Sequence, residues 1–211
     1  MWQSSLLQDL TWTVRHPNQG VRCPIGVPTW SWASTAGAVE FGHIDLFCWA
    51  KNLDVTYTHV GHQQLGKVVN AAILLECRSC MGFISWDDKN RNETYFIPDD
   101  DRQYLPQLEV AWLIAGDYDL SAGIRPVKKG ERIVVAFIEW VHVLPWTNCS
   151  WCGLALREIS RSEYERIGMC TFELCDVESP VRRKAKVRDN IEWRLERQFF
   201  SSLPIRKFKI V

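Results

Sequence analysis

The segment from Lys67 to Arg78 limits the fold more than any other part of the chain. It contains Val68-Val69 and Ala71-Ala72-Ile73-Leu74-Leu75, which put apolar side chains on both faces of an extended strand. A strand of that kind belongs in the middle of a sheet, covered on two sides. Most flanking segments repeat the pattern with a period near two. Leu46 to Thr58, Met81 to Trp86, Leu108 to Ala115 and Ile133 to Val143 read as strands. Trp151 to Ile159 and Glu165 to Leu174 read as a late hairpin that turns near Ser160 to Glu163. The chain has 211 residues, 46% of them hydrophobic, and 11 are tryptophan. That content suits a heavy, aromatic, β-rich core.

The ends differ in character. Trp2, Leu6, Leu7, Leu10 and Val14 recur close to i, i+4 and i+8, which predicts a short entry helix over residues 1–15. His16-Pro17-Asn18-Gln19-Gly20 ends it with turn residues. Residues 179–200 lack glycine and space Val181, Ala185, Ile191, Leu195 and Phe199 at helical intervals, predicting a second helix. Residues 207–211 return as a final strand. The expected fold is mainly β: an antiparallel sandwich or partly closed barrel over residues 28–175, with one helix at the start and one near the end. No linker divides it, so residues 1–211 are expected to form one domain.

Charge excludes some partners. Lys+Arg and Asp+Glu both number 25, so no global field favours nucleic acid or an anionic membrane. No stretch of 18 or more apolar residues predicts a membrane span, and residues 1–14 lack the charged and apolar regions of a signal peptide. An intracellular, cytoplasmic protein is expected, with its eight cysteines reduced.

Residues 28–34 read Pro28-Thr29-Trp30-Ser31-Trp32-Ala33-Ser34. An extended strand would place Trp30 and Trp32 on one face and the small Thr29, Ser31 and Ala33 on the other. Core packing explains the pair better than an exposed ligand shelf, because so much apolar surface is rarely left open.

Two CxxC pairs, Cys77/Cys80 and Cys149/Cys152, could together supply four thiolates to a tetrahedral zinc. Against this, 68 residues separate Cys80 from Cys149, and a straight strand aims the two sulfurs of a CxxC at opposite faces. Buried free cysteines are the plainer expectation. His59 and His62 read as a hairpin tip. Arg182 to Arg188 holds five basic residues in seven and reads, with Asp189, Glu192 and Glu196, as a solvated helix face. No spacing names a nucleophile and base, so no catalytic residue and no cofactor are assigned.

The heptad, followed by Gly37 and Val39-Glu40-Phe41, resembles the region downstream of the HET domain in fungal heterokaryon-incompatibility proteins. Those proteins carry a Pro-Ser-Trp-Ser-Trp-Ala-Ser element, with serine where this chain has Thr29. The Trp2–Trp12 segment is similar to their entry helix. Gly153-Leu154-Ala155-Leu156 with Tyr164-Glu165-Arg166-Ile167-Gly168 is similar to their late hairpin, and Phe208-Lys209-Ile210-Val211 to their last strand. The HET domain's own hallmark segments do not occur here. The resemblance therefore implies an accessory C-terminal region, non-enzymatic, whose partner is a HET domain in cis or in trans and whose setting is allorecognition and regulated cell death. It marks Pro28, Trp30, Ser31, Trp32, Ala33, Ser34, Gly153 and Gly168 as signature positions with structural roles. The alternative is a zinc-stabilised binding module built on the two CxxC pairs.

Overall fold

The computed structural model describes residues 6–7, 10–14, 27–35, 38–41, 46–48, 50–60, 67–86, 94–99, 110–116, 126–141, 150–174 and 200–211. Over these the chain is mainly β. A small antiparallel ribbon pairs β1 (Trp12–Val14) with β2 (Val39–Phe41). The large sheet holds β3 (Leu46–Cys48), β4 (Lys51–Val60), β5 (Lys67–Trp86), β6 (Thr94–Pro98), β7 (Val110–Gly116), β8 (Arg132–Val141), β9 (Ser150–Ser160), β10 (Glu163–Leu174) and β11 (Ile205–Ile210). Its order is β11-β5-β6-β7-β10-β9-β8-β3, with β4 beside β5.

The strand expected at the centre is the 20-residue β5. Its first half lies between β4 and β11, its second half between β8 and β6. Ile73, Leu75, Cys77 and Ser79 are buried on one face, while Leu74, Glu76 and Arg78 on the other are half-covered. The buried apolar side chains form two cores. One gathers Ile84, Phe96, Val135, Phe137, Ile167, Cys170 and Phe200. The other gathers Leu6, Leu10, Ile73, Leu75, Ile138, Leu154, Leu156, Met169 and Phe208. Each fully buried aliphatic side chain contributes roughly 1.5–3 kcal/mol relative to exposure.

Three expectations need correction. The sheet is mixed rather than antiparallel, because β10 and β11 run parallel over Glu163↔Lys209 and Tyr164↔Ile210. β11 pairs antiparallel with β5, and its far end then reaches β10, where the Val211 N–H donates to the Tyr164 carbonyl (2.9 Å). Second, the entry helix does not run through residue 14. Leu6, Leu7 and Leu10 make a helical turn, but Trp12–Val14 is strand β1. The carbonyls of Leu10 and Trp12, which a helix would use internally, are taken by the Arg166 guanidinium. Third, Thr29 to Ser34 is not extended: it is a turn leading into a 3₁₀ turn at Trp32–Ser34. The expected helix over 179–200 lies outside the described residues except for Phe200, where a helical turn runs to Ser202. The late hairpin turns at Arg161-Ser162, as expected, and the chain closes on a strand. Among the described residues, no helix is long and apolar enough to cross a membrane.

Candidate functional site

Three groups of residues converge on β9 and β10. The first is the heptad. Pro28 restricts the backbone, and Ser31 N–H bonds back to the Pro28 carbonyl (3.0 Å), as Ser34 N–H does to Ser31 (2.9 Å). The Ser31 hydroxyl accepts from Ala33 N–H (3.3 Å). Such local hydroxyl bonds compete with a strand ladder, which explains why the extended reading fails. Trp30 is half-buried against the core around Leu10, and its carbonyl accepts from the Trp12 indole N–H (3.1 Å). Ala33 is exposed and Ser34 buried; the Trp32 side chain lies outside the described residues.

The heptad acts as a staple through Thr29. Its N–H donates to the Val211 carbonyl (3.1 Å), as does its hydroxyl. The same oxygen accepts from Arg166 N–H (3.0 Å). Arg166 is fully buried with its Cζ 3.6 Å from the centre of the Trp12 ring, and its guanidinium donates to the Leu10 and Trp12 carbonyls (2.6 and 2.5 Å). Entry segment, heptad, β10 and carboxyl-terminal strand are thus joined at one point. A hydroxyl suffices for the role of Thr29, so a serine at this place would serve. Thr29→Val is expected to cost about 1–3 kcal/mol by leaving the Arg166 N–H unpaired, and Thr29→Ser clearly less. Urea unfolding of both variants checks this, and equal midpoints would remove the staple.

The second group is the thiols. Cys77 sits in the core around Leu75, whereas Cys80 packs against the core around Ile84, so their sulfurs lie on opposite sides of β5. One strand cannot present both to a single ion. Cys152 lies on β9, and Cys149 is outside the described residues, as are His62 and Arg182 to Arg188. Burial, with a smaller contribution from the nearby Glu76 carboxylate, pushes the Cys77 thiol up to about 12. Burial also pushes the Cys170 thiol well above its ordinary value, helped by Cys152 and Cys80 nearby. Neither is a poised nucleophile at neutral pH, since the reactive species is the thiolate. Alkylation at pH 8 followed by residue-resolved mass spectrometry is expected to leave Cys77 and Cys170 unlabelled until denaturant is added. Rapid native labelling of either would contradict this burial.

The third group is an ionic recess of about 620 Å³ that opens broadly to solvent between the 126–131 turn and the β9–β10 hairpin. Arg157 and Glu165, 8% and 7% exposed, face each other across the two strands, with Arg157 Nε donating to Glu165 Oε1 at 2.5 Å. Glu131 Oε1 is 3.6 Å from the same guanidinium. Hydrogen bonds hold the turn above them. Glu131 N–H bonds to the Lys128 carbonyl (2.9 Å), Lys128 N–H to Glu131 Oε2 (2.8 Å), and Gly130 N–H to the Ile84 carbonyl (2.8 Å). Gly130 has φ 82°, a conformation that the third position of this turn requires and that glycine adopts without penalty. Buried Val127 anchors the turn below. On the hairpin side, Glu158 Oε1 accepts from Ser162 N–H (3.2 Å), and Ile159 is 38% exposed.

β10 carries both constructions. Glu165 faces the recess while its neighbour Arg166 faces the staple, because successive side chains alternate across a strand. The bulge between Arg166 and Gly168 marks the place. Gly153 is required for packing: a Cβ there would come within 2.8 Å of Val135 Cγ1 and 2.9 Å of the Ala136 carbonyl oxygen.

Arg157, Glu131 and Glu165 were not singled out by sequence reasoning. The available signal was charge inside strands, in Leu154-Ala155-Leu156-Arg157 and Glu165-Arg166-Ile167, where a solvated residue would not be expected among buried neighbours. No family model, curated protein or solved structure matches the chain.

Proposed function

We propose that this chain is a regulatory or recognition module of a HET-type protein, acting in fungal allorecognition and regulated cell death by binding rather than by chemistry. The recess is the observation that carries the reading. Its ionic groups are bonded to one another and held by a turn and a hairpin that are themselves tied to the sheet, an arrangement suited to complementary contact with a protein surface. The sheet, read as a partly closed barrel, supplies the rigid support that recognition loops need. The heptad contributes as the joint that holds the entry segment on β10. Its order with the late hairpin and the last strand supports the resemblance to HET-type proteins. The partner in this reading is a HET domain, in cis or in trans, within the cytoplasm.

The test is calorimetric titration of the purified chain with a purified HET domain from the same genome, with hydrolysis of acyl and phosphoryl substrates by this chain assayed in parallel. Saturable binding and no turnover by this chain alone is the expected result. Turnover that disappears on a single substitution in this chain, or the absence of binding, overturns the proposal.

A further inference from the structure

We infer that β4 is a guarded edge: an extra residue, a carboxylate on its backbone and exposed charge keep it from pairing with the β4 of a second copy of this chain. The inference concerns self-association and is independent of the recognition reading and of the recess.

The hazard lies in the strand itself. Among the described residues β4 has one ladder, with β5, so it lies at the edge of the large sheet. Val55, Thr56, Tyr57, Thr58 and Val60 are residues of high strand propensity. Leu53 and Tyr57 are 42% and 55% exposed. A long edge strand of this composition is a template for another strand, and an identical one is always at hand.

Three features oppose such pairing. First, Lys51 and Asn52 pair with Glu76 and Leu75, but Asp54 pairs with Leu74, so Leu53 is an extra residue in β4. It breaks the alternation of backbone groups along the strand, and a regular strand in phase with one side of Leu53 is out of phase with the other. A second shift places the extra residue in β5 instead, where Asn70 and Ala71 stand between the partners of Thr56 and Thr58, and the ladder returns to its starting phase. Second, the Val55 N–H donates to Asp54 Oδ1 at 2.8 Å, so this backbone donor is engaged by its neighbour's side chain and not offered to another strand. Third, Asp54 is exposed and the Lys51 side chain is 75% exposed, with Glu76 3.7 Å from its ammonium. Covering both charges with a second copy would strip water from them. The one antiparallel register that sets Lys51 against Asp54 of the copy has Leu53 of both strands at its centre, where pairing is most disturbed.

Sedimentation velocity of the full chain over a series of concentrations is the experiment. The parent is expected to show no association through β4. An open-edge variant deletes Leu53 and carries Lys51→Thr and Asp54→Thr. The deletion makes the partners Glu76, Leu75, Leu74 and Ile73 consecutive along β4 without turning any side chain to the other face. This variant is expected to dimerise with rising concentration, at least about tenfold more tightly than the parent. Hydrogen exchange over residues 51–60 is expected to slow in the dimer. If the deletion lowers the thermal midpoint, the Lys51→Thr, Asp54→Thr chain replaces it, with an expected several-fold gain. A folded variant that associates no more than the parent overturns the inference. So does association without slower exchange over 51–60, or a parent dimer in which those residues are protected.

Discussion

Arg166→Ala is expected to lower the free energy of unfolding by about 3–5 kcal/mol, as when a buried hydrogen-bond network loses its central donor. Arg166 is completely buried, and its guanidinium serves two carbonyls while covering the face of Trp12, itself fully buried. Truncation leaves the Leu10 and Trp12 carbonyls without these donors, at about 1–3 kcal/mol each when no water replaces them. It also removes the cation–π contact, about 2 kcal/mol when desolvated. These costs overlap and do not add in full. Arg166→Lys keeps the charge but has neither the planar fork nor the stacking surface, so it should fall between Ala and the parent chain. Urea unfolding with an unchanged slope is the measurement. A loss under 1 kcal/mol for the alanine variant would show that the entry segment is held by its apolar contacts alone.

Gly82→Ala is expected to cost on the order of 3 kcal/mol, at the upper end of overpacking. Gly82 lies buried in β5 where that strand pairs with Pro98 of β6. A Cβ there would meet the Ile97 carbonyl group, its carbon at 2.8 Å, and the Phe96 ring at 2.7 Å. The ring could tilt, but the carbonyl is backbone and can yield only if β6 moves. Because β5 pairs with β8 through the same residues, such movement would disturb both ladders. Gly153→Ala meets atoms slightly further away, one of them a side-chain methyl, and should cost less. Thermal denaturation of the two variants side by side tests the ranking. If Gly82→Ala were the milder, the close approach of β6 to β5 would be wrong.

The strands were legible because they depend on local periodicity. Ile73, Leu75 and Cys77 alternate with Leu74, Glu76 and Arg78, and the same two-residue rhythm announced the β9–β10 hairpin and the last strand. The heptad was noticed for its composition but misread in conformation. Alternating Trp30 and Trp32 looked like a strand face, yet Pro28 and the hydroxyls of Ser31 and Ser34 turn the backbone. The entry segment shows the converse. Its leucines follow a helical spacing that the chain keeps only as far as Leu10, because Arg166, 156 residues away, takes the Leu10 carbonyl.

The recess was legible only as charge placed inside two strands. Arg157 and Glu165 are close in sequence, but Glu131 comes from another loop and is held there by backbone bonds to Ile84 of β5. Hydrophobic patterning along the chain determined which segments are strands and that Ile73 and Leu75 belong inside, since burial of apolar area is a property each segment carries with it. Which strands adjoin, where charges are buried and what the heptad binds were decided only by the tertiary structure. Hydrogen bonds and ion pairs depend on direction and on a partner, and the partners here, Thr29 to Val211 or Arg166 to Leu10, lie more than 150 residues apart.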